Sequence, residues 1–172
     1  MRKRVLILGG ARSGKSSYAL KEASRIKGKK AFVATAEAHD GEMKERIEHH
    51  RKERGTEWHT FEEPVEVPSL VMDLGDRYEV ILVDCLTLWV SNIMHRELSF
   101  DEYADQLVGV LSGNNPALLY VVSNEVGLGL VPETPLGRHY RDNLGRLNAR
   151  VAETATDVLF LAAGIPLNIK GE

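Results

Sequence analysis

Cysteine is almost absent from this sequence: Cys85 is the single cysteine in 172 residues. This excludes an internal disulfide and a zinc site built from several cysteines. No stretch approaches the roughly 20 apolar residues that a membrane-spanning helix requires. The formal net charge of −3 gives no indication of nucleic-acid binding, which needs a clustered basic surface. We therefore expect a cytoplasmic enzyme or switch, with no membrane span, that folds as one domain over residues 1–172.

A phosphate-binding loop follows the first apolar run. Residues Gly9-Gly10-Ala11-Arg12-Ser13-Gly14-Lys15-Ser16 satisfy the pattern G-x-x-x-x-G-K-[ST], directly after Val5–Leu8 and before a helix-compatible stretch. In such a loop, successive N–H groups and the positive end of the helix face anionic oxygens. Lys15 adds a charge for the β- and γ-phosphates, and the Ser16 hydroxyl can ligate Mg²⁺. The pattern predicts a nucleotide-binding protein.

Short apolar runs alternate with longer helical ones, which predicts an α/β fold with a mostly parallel central sheet flanked by helices. We predict strands near Arg4–Leu8, Lys30–Thr35, Glu57–Phe61, Glu79–Asp84, Ala117–Ser123, Asp157–Ala162 and Pro166–Lys170, the last at an edge. We predict helices over Lys15–Ile26, Glu42–Arg54, Val67–Met72, Leu86–Met94, Phe100–Leu111 and Pro135–Ala155.

Ligands of open α/β sheets bind beyond the carboxyl ends of the strands, where polar residues of this chain converge. Asp84 ends the run Val80–Val83, the position at which phosphate-loop proteins place the acid that holds Mg²⁺. The alternative, a cap for the following helix, is less favoured. Glu125 follows the next strand, and either acid–base chemistry or anchoring of the loop at 127–129 would suit it.

The predicted helix Glu42–Arg54 carries the adjacent residues His49 and His50 among many charges. A solvated helix held by i,i+4 ion pairs is one interpretation. The other is nucleophilic, because a neutral imidazole can attack phosphorus and the neighbouring cations could hold a polyanion. His50 shares a stripe with Met43 and Ile47, which sets it apart from His49.

The chain resembles the adenosylcobinamide kinase / adenosylcobinamide-phosphate guanylyltransferase family of cobalamin biosynthesis nearly end to end. The matching stretches are the phosphate loop, Ala34-Thr35-Ala36, the Glu42…His49-His50 helix, Asp84-Cys85-Leu86-Thr87-Leu88-Trp89, Asn124-Glu125-Val126-Gly127 through Val131-Pro132, Arg141-Asp142 and Gly164-Ile165-Pro166-Leu167. The histidine pair together with the Asn-Glu-Val-Gly loop is the specific part of this likeness. Tyr140 and Ala149 depart from the family pattern.

The resemblance implies a RecA-like phosphate-loop fold, a homotrimer and two reactions. ATP or GTP would phosphorylate adenosylcobinamide, and GMP from GTP would then pass to that phosphate through a guanylylated histidine, here His50. The chemistry of the residues agrees with this division, because Lys15 and Asp84 would serve the phosphoryl transfer and Ser16 and Asp84 would hold Mg²⁺. The implied nucleotide contacts are Gly9–Ser16, Ala34, Thr35, Ala36, Arg51, Lys52, Glu53, Arg54, Glu62 and Asp84.

Two rival functions remain open at this stage. One is a simple small-molecule kinase with a charged surface helix, and the other is a RecA-like nucleotide switch that signals by assembly. A nucleic-acid motor of the second kind would need basic residues in its loops, and residues 127–134 contain none.

Overall fold

The structure is a computed structural model that describes residues 3–38, 41, 45, 48, 51 and 54–171. In this part of the chain the strands form one sheet of seven. They are β1 (Arg4–Gly9), β2 (Lys30–Ala34), β3 (Trp58–Glu62), β4 (Val80–Asp84), β5 (Leu118–Val122), β6 (Asp157–Ala162) and β7 (Ile165–Lys170). The helices that pack on this sheet are α1 (Lys15–Ser24), α2 (Val67–Leu74), α3 (Leu86–His95), α4 (Phe100–Ser112) and α5 (Pro135–Thr154).

The strand order is β3-β2-β4-β5-β1-β6-β7, and β7 pairs antiparallel with β6 while the other neighbours are parallel. Strands β2 and β4 are almost wholly buried, which explains why they read as continuous apolar runs without alternation. Parallel pairing brings the carboxyl ends of β1 to β6 to one edge of the sheet. The phosphate loop leaves β1 at that edge.

Two apolar clusters hold the helices to the sheet. On one face Ala19 and Ala23 of α1 pack with Phe32 and Leu82. On the other face helices α2 to α5 contribute residues such as Trp89 to the larger cluster. Among the described residues, no helix is long and apolar enough to cross a membrane.

The predicted α/β class and the seven strands are confirmed, each strand end within one residue, and β7 lies at the edge. Helix α1 ends at Ser24 rather than Ile26, because Arg25 and Ile26 donate to carbonyls three residues back in a tightened last turn. Helix α2 continues to Leu74, which is fully buried. The predicted helix Glu42–Arg54 lies largely outside the described residues. Of its members, Glu45, Glu48 and Arg51 have helical backbone.

Candidate functional site

The phosphate loop has the backbone geometry that its sequence predicts. Gly9 has φ +151°, and a Cβ there would lie 2.4 Å from the Leu161 carbonyl oxygen of the neighbouring strand, so only glycine fits. Gly14 stands before α1 in the left-handed conformation, with φ +89°. Ser13 N–H donates to Gly10 O (3.3 Å), which curls the loop over the start of α1. This arrangement is an anion site at a helix N-terminus.

Lys15 is the first residue of α1 and only 7% exposed. Its Nζ donates to Gly10 O at 2.5 Å and lies 3.4 Å from Ser13 Oγ. Burial lowers the pKa of Lys15, and the negative charges of Cys85 (as thiolate) and Asp84 oppose that shift. The ammonium group is therefore held inside its own loop, where the oxygens of a phosphate would meet it.

Asp84 is the last residue of β4, and its charge acts on this cation. Its charge raises the pKa of both Lys15 and Arg54 against their burial, which places the carboxylate within electrostatic reach of both side chains. The N-cap position of α3 belongs to Cys85, whose side chain makes no capping bond. The structure therefore does not support the capping alternative for Asp84.

The oxygens at this edge fit Mg²⁺. In the described part of the chain, no cluster of three or more His, Cys, Asp or Glu side chains could enclose a metal ion. Mg²⁺ does not need such a cage, because it is usually held by one or two carboxylates, with waters and substrate phosphates completing its octahedron. The Asp84 carboxylate and the Ser16 hydroxyl of the phosphate loop are oxygens of the type that such a site uses.

A second group of predicted contacts lies at the ends of β2 and β3. Arg54 is 6% exposed; its guanidinium carbon stacks 3.9 Å from the centroid of Phe32, and its Nη1 donates to Thr60 Oγ1 at 3.2 Å. Arg51 forms an ion pair with Glu62, the last residue of β3. The structure therefore brings Arg51 and Glu62 together and sets Arg54 near Asp84.

Some predicted site residues do not join these groups. His50, Lys52 and Glu53 lie outside the described residues, as does the neighbouring His49. Thr35 follows β2 as predicted, but it is fully buried and its hydroxyl is bonded to the main chain of Cys85.

A groove of about 560 Å³ runs beside α1, a volume in the range of small-molecule sites. Ser17 and Lys21 of α1 line one side, and Arg54 and Trp58 line the other. Ser17 directly follows Ser16 of the phosphate loop, and the buried cation Arg54 also lines the groove, so the groove adjoins the loop.

The loop after β5 closes the other side of the phosphate loop. Glu125 N–H donates to Gly9 O (3.0 Å), and Glu125 Oε1 accepts the N–H of Gly127. This contact supports the anchoring role among the alternatives for Glu125. Further along, Leu128 and Leu130 are 81% and 97% exposed, unusually so for leucine.

Sequence reasoning missed Asn92, a buried amide on α3 that donates to Thr35 O and Pro64 O at 2.8 and 3.1 Å. A signal was present, since Asn92 falls on the apolar stripe with Trp89 and Ile93 at i+3 and i+4 spacing. A polar residue on such a stripe is buried and must find hydrogen-bond partners.

Solved structures of a recombinase and of a secretion ATPase have folds similar to this one. The RadB recombinase gives a TM-score of 0.54 at 16% identity, with 92% of this chain and 73% of that chain covered. A type III secretion ATPase of pathogenic bacteria gives 0.57 at 10% identity, over 93% and 51% of the two chains. These likenesses concern the fold alone, and they confirm the predicted RecA-like architecture.

The sequence comparisons go further. The family model described as cobinamide kinase / cobinamide phosphate guanyltransferase matches residues 5–169. The bifunctional adenosylcobalamin biosynthesis protein CobP of Pseudomonas aeruginosa is 42% identical over 171 residues, covering 98% of both chains. The corresponding protein CobU of Escherichia coli is 34% identical, covering 96% of this chain and 99% of its own. The chain therefore belongs to the cobinamide kinase / cobinamide phosphate guanyltransferase family, as its motifs predicted.

Proposed function

We propose that this chain carries out both reactions for which its family is named, at the edge of the sheet that holds the phosphate loop. First, ATP or GTP phosphorylates the hydroxyl of adenosylcobinamide. Second, GMP passes from GTP to adenosylcobinamide phosphate, giving adenosylcobinamide-GDP and pyrophosphate. The observation that carries this proposal is an intact phosphate loop, with Lys15 directed into it, in a chain that aligns end to end with bifunctional relatives.

In the kinase reaction the substrate hydroxyl oxygen bonds to the γ-phosphorus and releases its proton to water, and the bond to the β,γ-bridging oxygen breaks as the nucleoside diphosphate leaves. The amides of residues 9–16 and the Lys15 ammonium stabilise the charge on the transferring group. Ser16 and Asp84 would hold Mg²⁺, which neutralises phosphate charge when bound. Catalysis of this kind depends on positioning, which the curled loop and the buried Lys15 provide.

In the second reaction we assign the nucleophile to His50. An imidazole nitrogen bonds to the α-phosphorus of GTP, and pyrophosphate leaves. A phosphate oxygen of adenosylcobinamide phosphate then attacks the same phosphorus, and the imidazole leaves. The position of the next residue supports this assignment, since Arg51 is ion-paired with Glu62 at the carboxyl end of β3.

We also propose nucleotide contacts for the other residues that the family resemblance implies, which are 9–16, 34, 36 and 51–54, with Glu62 and Asp84. Thr35 is set apart from them, because it is fully buried and its hydroxyl is hydrogen-bonded to the main chain of Cys85. Buried Arg54 is the best supported of the group beyond the loop. Its charge is held beside Asp84 and next to the groove along α1, where a nucleotide phosphate or ribose can reach it.

The test is covalent labelling with GTP. Incubation with [α-³²P]GTP should leave label on the protein that is stable to alkali and labile to acid, as expected of a phosphoramidate, whereas [γ-³²P]GTP should leave none. His50→Ala should abolish the label, and the matched control His49→Ala should retain it. Label retained by His50→Ala would assign the nucleophile to another residue. A wild-type protein that phosphorylates adenosylcobinamide but takes no α-label would instead be a simple kinase.

We also propose that the enzyme works in the cytoplasm, where both nucleotides are made, as a homotrimer of single-domain chains. The exposed side chains Leu128, Leu130, Val131 and Leu136 support assembly, because a group of apolar residues in water commonly marks an interface. Light scattering on the purified protein should give three times the chain mass. Leu130→Ser should weaken that assembly, whereas Met72→Ser, an exposed apolar residue on α2, should not.

A further inference from the structure

Thr35 lies just beyond the end of β2. Its backbone and its side chain both form hydrogen bonds with the main chain of Asp84 and Cys85, where β4 ends. Its N–H donates to Asp84 O at 3.2 Å. Its hydroxyl donates to Cys85 O at 2.7 Å and accepts the Cys85 N–H at 2.8 Å. Three hydrogen bonds thus fix the last residue of β4 and the residue that follows it.

These bonds use the only proton of the Thr35 hydroxyl and one of its two acceptor positions. The side chain is 0% exposed, and both its single proton and an acceptor position are engaged by the peptide groups of Cys85. A nucleotide therefore has no access to this hydroxyl, although the neighbouring Ala36 is only half-buried. The contribution of Thr35 to the site must come through what it holds.

Asn92 of α3 completes the arrangement. Its Nδ2 donates to Thr35 O and to Pro64 O, which joins the end of β2 to the connection between β3 and α2. Trp89, one turn earlier on α3, donates its Nε1 to Val65 O of the same connection at 2.7 Å. Two buried side chains of one helix thereby hold the strand ends in fixed relation.

We propose that Thr35 and Asn92 are positioning residues that hold the Asp84 carboxylate towards Lys15 and the phosphate loop. The inference rests on the proposed role of Asp84 at the phosphates. Thr35 binds the carbonyl of Asp84 and the main chain of Cys85, the next residue. These bonds hold the backbone that carries the Asp84 side chain, so the direction of that side chain depends on them. Groups that orient a metal ligand typically change affinity or activity by 10- to 100-fold when removed.

The variant to test is Thr35→Val, which keeps the shape of the side chain and removes the hydroxyl. The readout is the gain in affinity for a non-hydrolysable GTP analogue that Mg²⁺ brings, measured by calorimetry with Mg²⁺ and with EDTA. We expect Thr35→Val to reduce this gain by about 10-fold or more, and kinase turnover by about 10- to 100-fold. Affinity in EDTA should stay within about 2-fold, because the loop amides and Lys15 are untouched.

Two further variants separate positioning from general damage. Thr35→Ser keeps the hydroxyl and should restore most of the Mg²⁺ gain. Thr156 binds the main chain of Arg4 in a similar two-way manner, at 2.9 and 3.0 Å, at the opposite edge of the sheet, and its hydroxyl also lies 2.6 Å from Asp157 Oδ2. Thr156→Val should cost comparable thermal stability and leave the Mg²⁺ gain intact. Asn92→Ala should act in the same direction as Thr35→Val.

A double-mutant cycle with Asp84→Asn decides the matter. If Thr35 acts through Asp84, Thr35→Val should have little further effect on the Mg²⁺ gain in the Asp84→Asn background. If Thr35→Val weakens binding equally in EDTA, or adds its full effect in that background, the positioning role is wrong while the role of Asp84 stands. If Asp84→Asn alone leaves the gain intact, the role proposed for Asp84 fails, and this inference fails with it.

Discussion

Replacing Lys15 by methionine should separate nucleotide binding from stability. The substitution preserves the length and apolar stem of a residue that is only 7% exposed, and removes the ammonium that donates to Gly10 O at 2.5 Å. Because the ammonium is the group that would meet the β- and γ-phosphates, we expect weaker binding and slower phosphoryl transfer.

The magnitudes can be worked from the contacts. A hydrogen bond to a charged group contributes roughly 1.5–3 kcal/mol, so losing one to a phosphate should weaken GTP binding by about 10- to 150-fold. Stability should change in the opposite sense. Burial lowers the pKa of Lys15 below its unfolded value, so at neutral pH the charged lysine disfavours the folded state. Methionine removes that cost, and the melting temperature should not fall.

The assay is calorimetric titration with GTP alongside thermal melting of the same preparations. Lys27→Met is the matched control, since Lys27 is an exposed lysine just after α1 and does not line the groove. It should change GTP affinity by less than about 3-fold at physiological salt. Wild-type affinity in Lys15→Met would refute the assignment of this lysine to the phosphates. A melting temperature several degrees below wild type would refute the claim that its buried charge is destabilising.

Three other expectations follow from the buried Arg4 and from the half-buried side chains of Cys85 and Tyr140. Arg4→Met removes donors to several main-chain carbonyls of residues 111–117, so urea denaturation should show about 3 kcal/mol or more of lost stability. The control Arg25→Met, at an exposed arginine, should cost under about 0.5 kcal/mol. Equal losses in the two variants would contradict this. Burial raises the pKa of Cys85 to about 11, so alkylation at pH 8 should be about 100-fold slower in the folded protein than in urea, and equal rates would be inconsistent with that burial. Burial also raises the pKa of Tyr140 to about 12, so the stability that its neutral hydroxyl provides is complete below pH 10 and lost as the pH rises from 10 to about 12. Tyr140→Phe loses the bond to Thr87 O and should flatten that alkaline decline, and an unchanged slope would count against it.

Local patterns were enough for the phosphate loop and the strands. The loop needs glycine at particular backbone angles, and Gly9 and Gly14 adopt them as their spacing predicts. Buried parallel strands need apolar side chains on both faces, so β2 and β4 are visible as uninterrupted runs. Helix ends were less predictable, because the last turn of α1 depends on which carbonyls its final N–H groups select.

Long-range partners were beyond such patterns. Asn92 and Thr35 are separated by 57 positions, and nothing between them in the sequence specifies the bond that joins them. The sequence predicted the strand end at which Thr35 lies but not the partners of its hydroxyl, because only packing decides whether a threonine hydroxyl faces a ligand or a peptide group. Arg4 likewise reaches carbonyls more than 100 positions away.

The sequence by itself determined that this protein binds a nucleotide on a parallel sheet, and its motifs identified the family, because a phosphate loop and buried strands are specified by neighbouring residues. Only the tertiary structure decided the strand order, the approach of Asp84 to Lys15 and Arg54, and the junction of Thr35, Cys85 and Asn92. Those features arise where strands distant in sequence end side by side, so that the hydrogen bonds and charges of one strand end complete those of another.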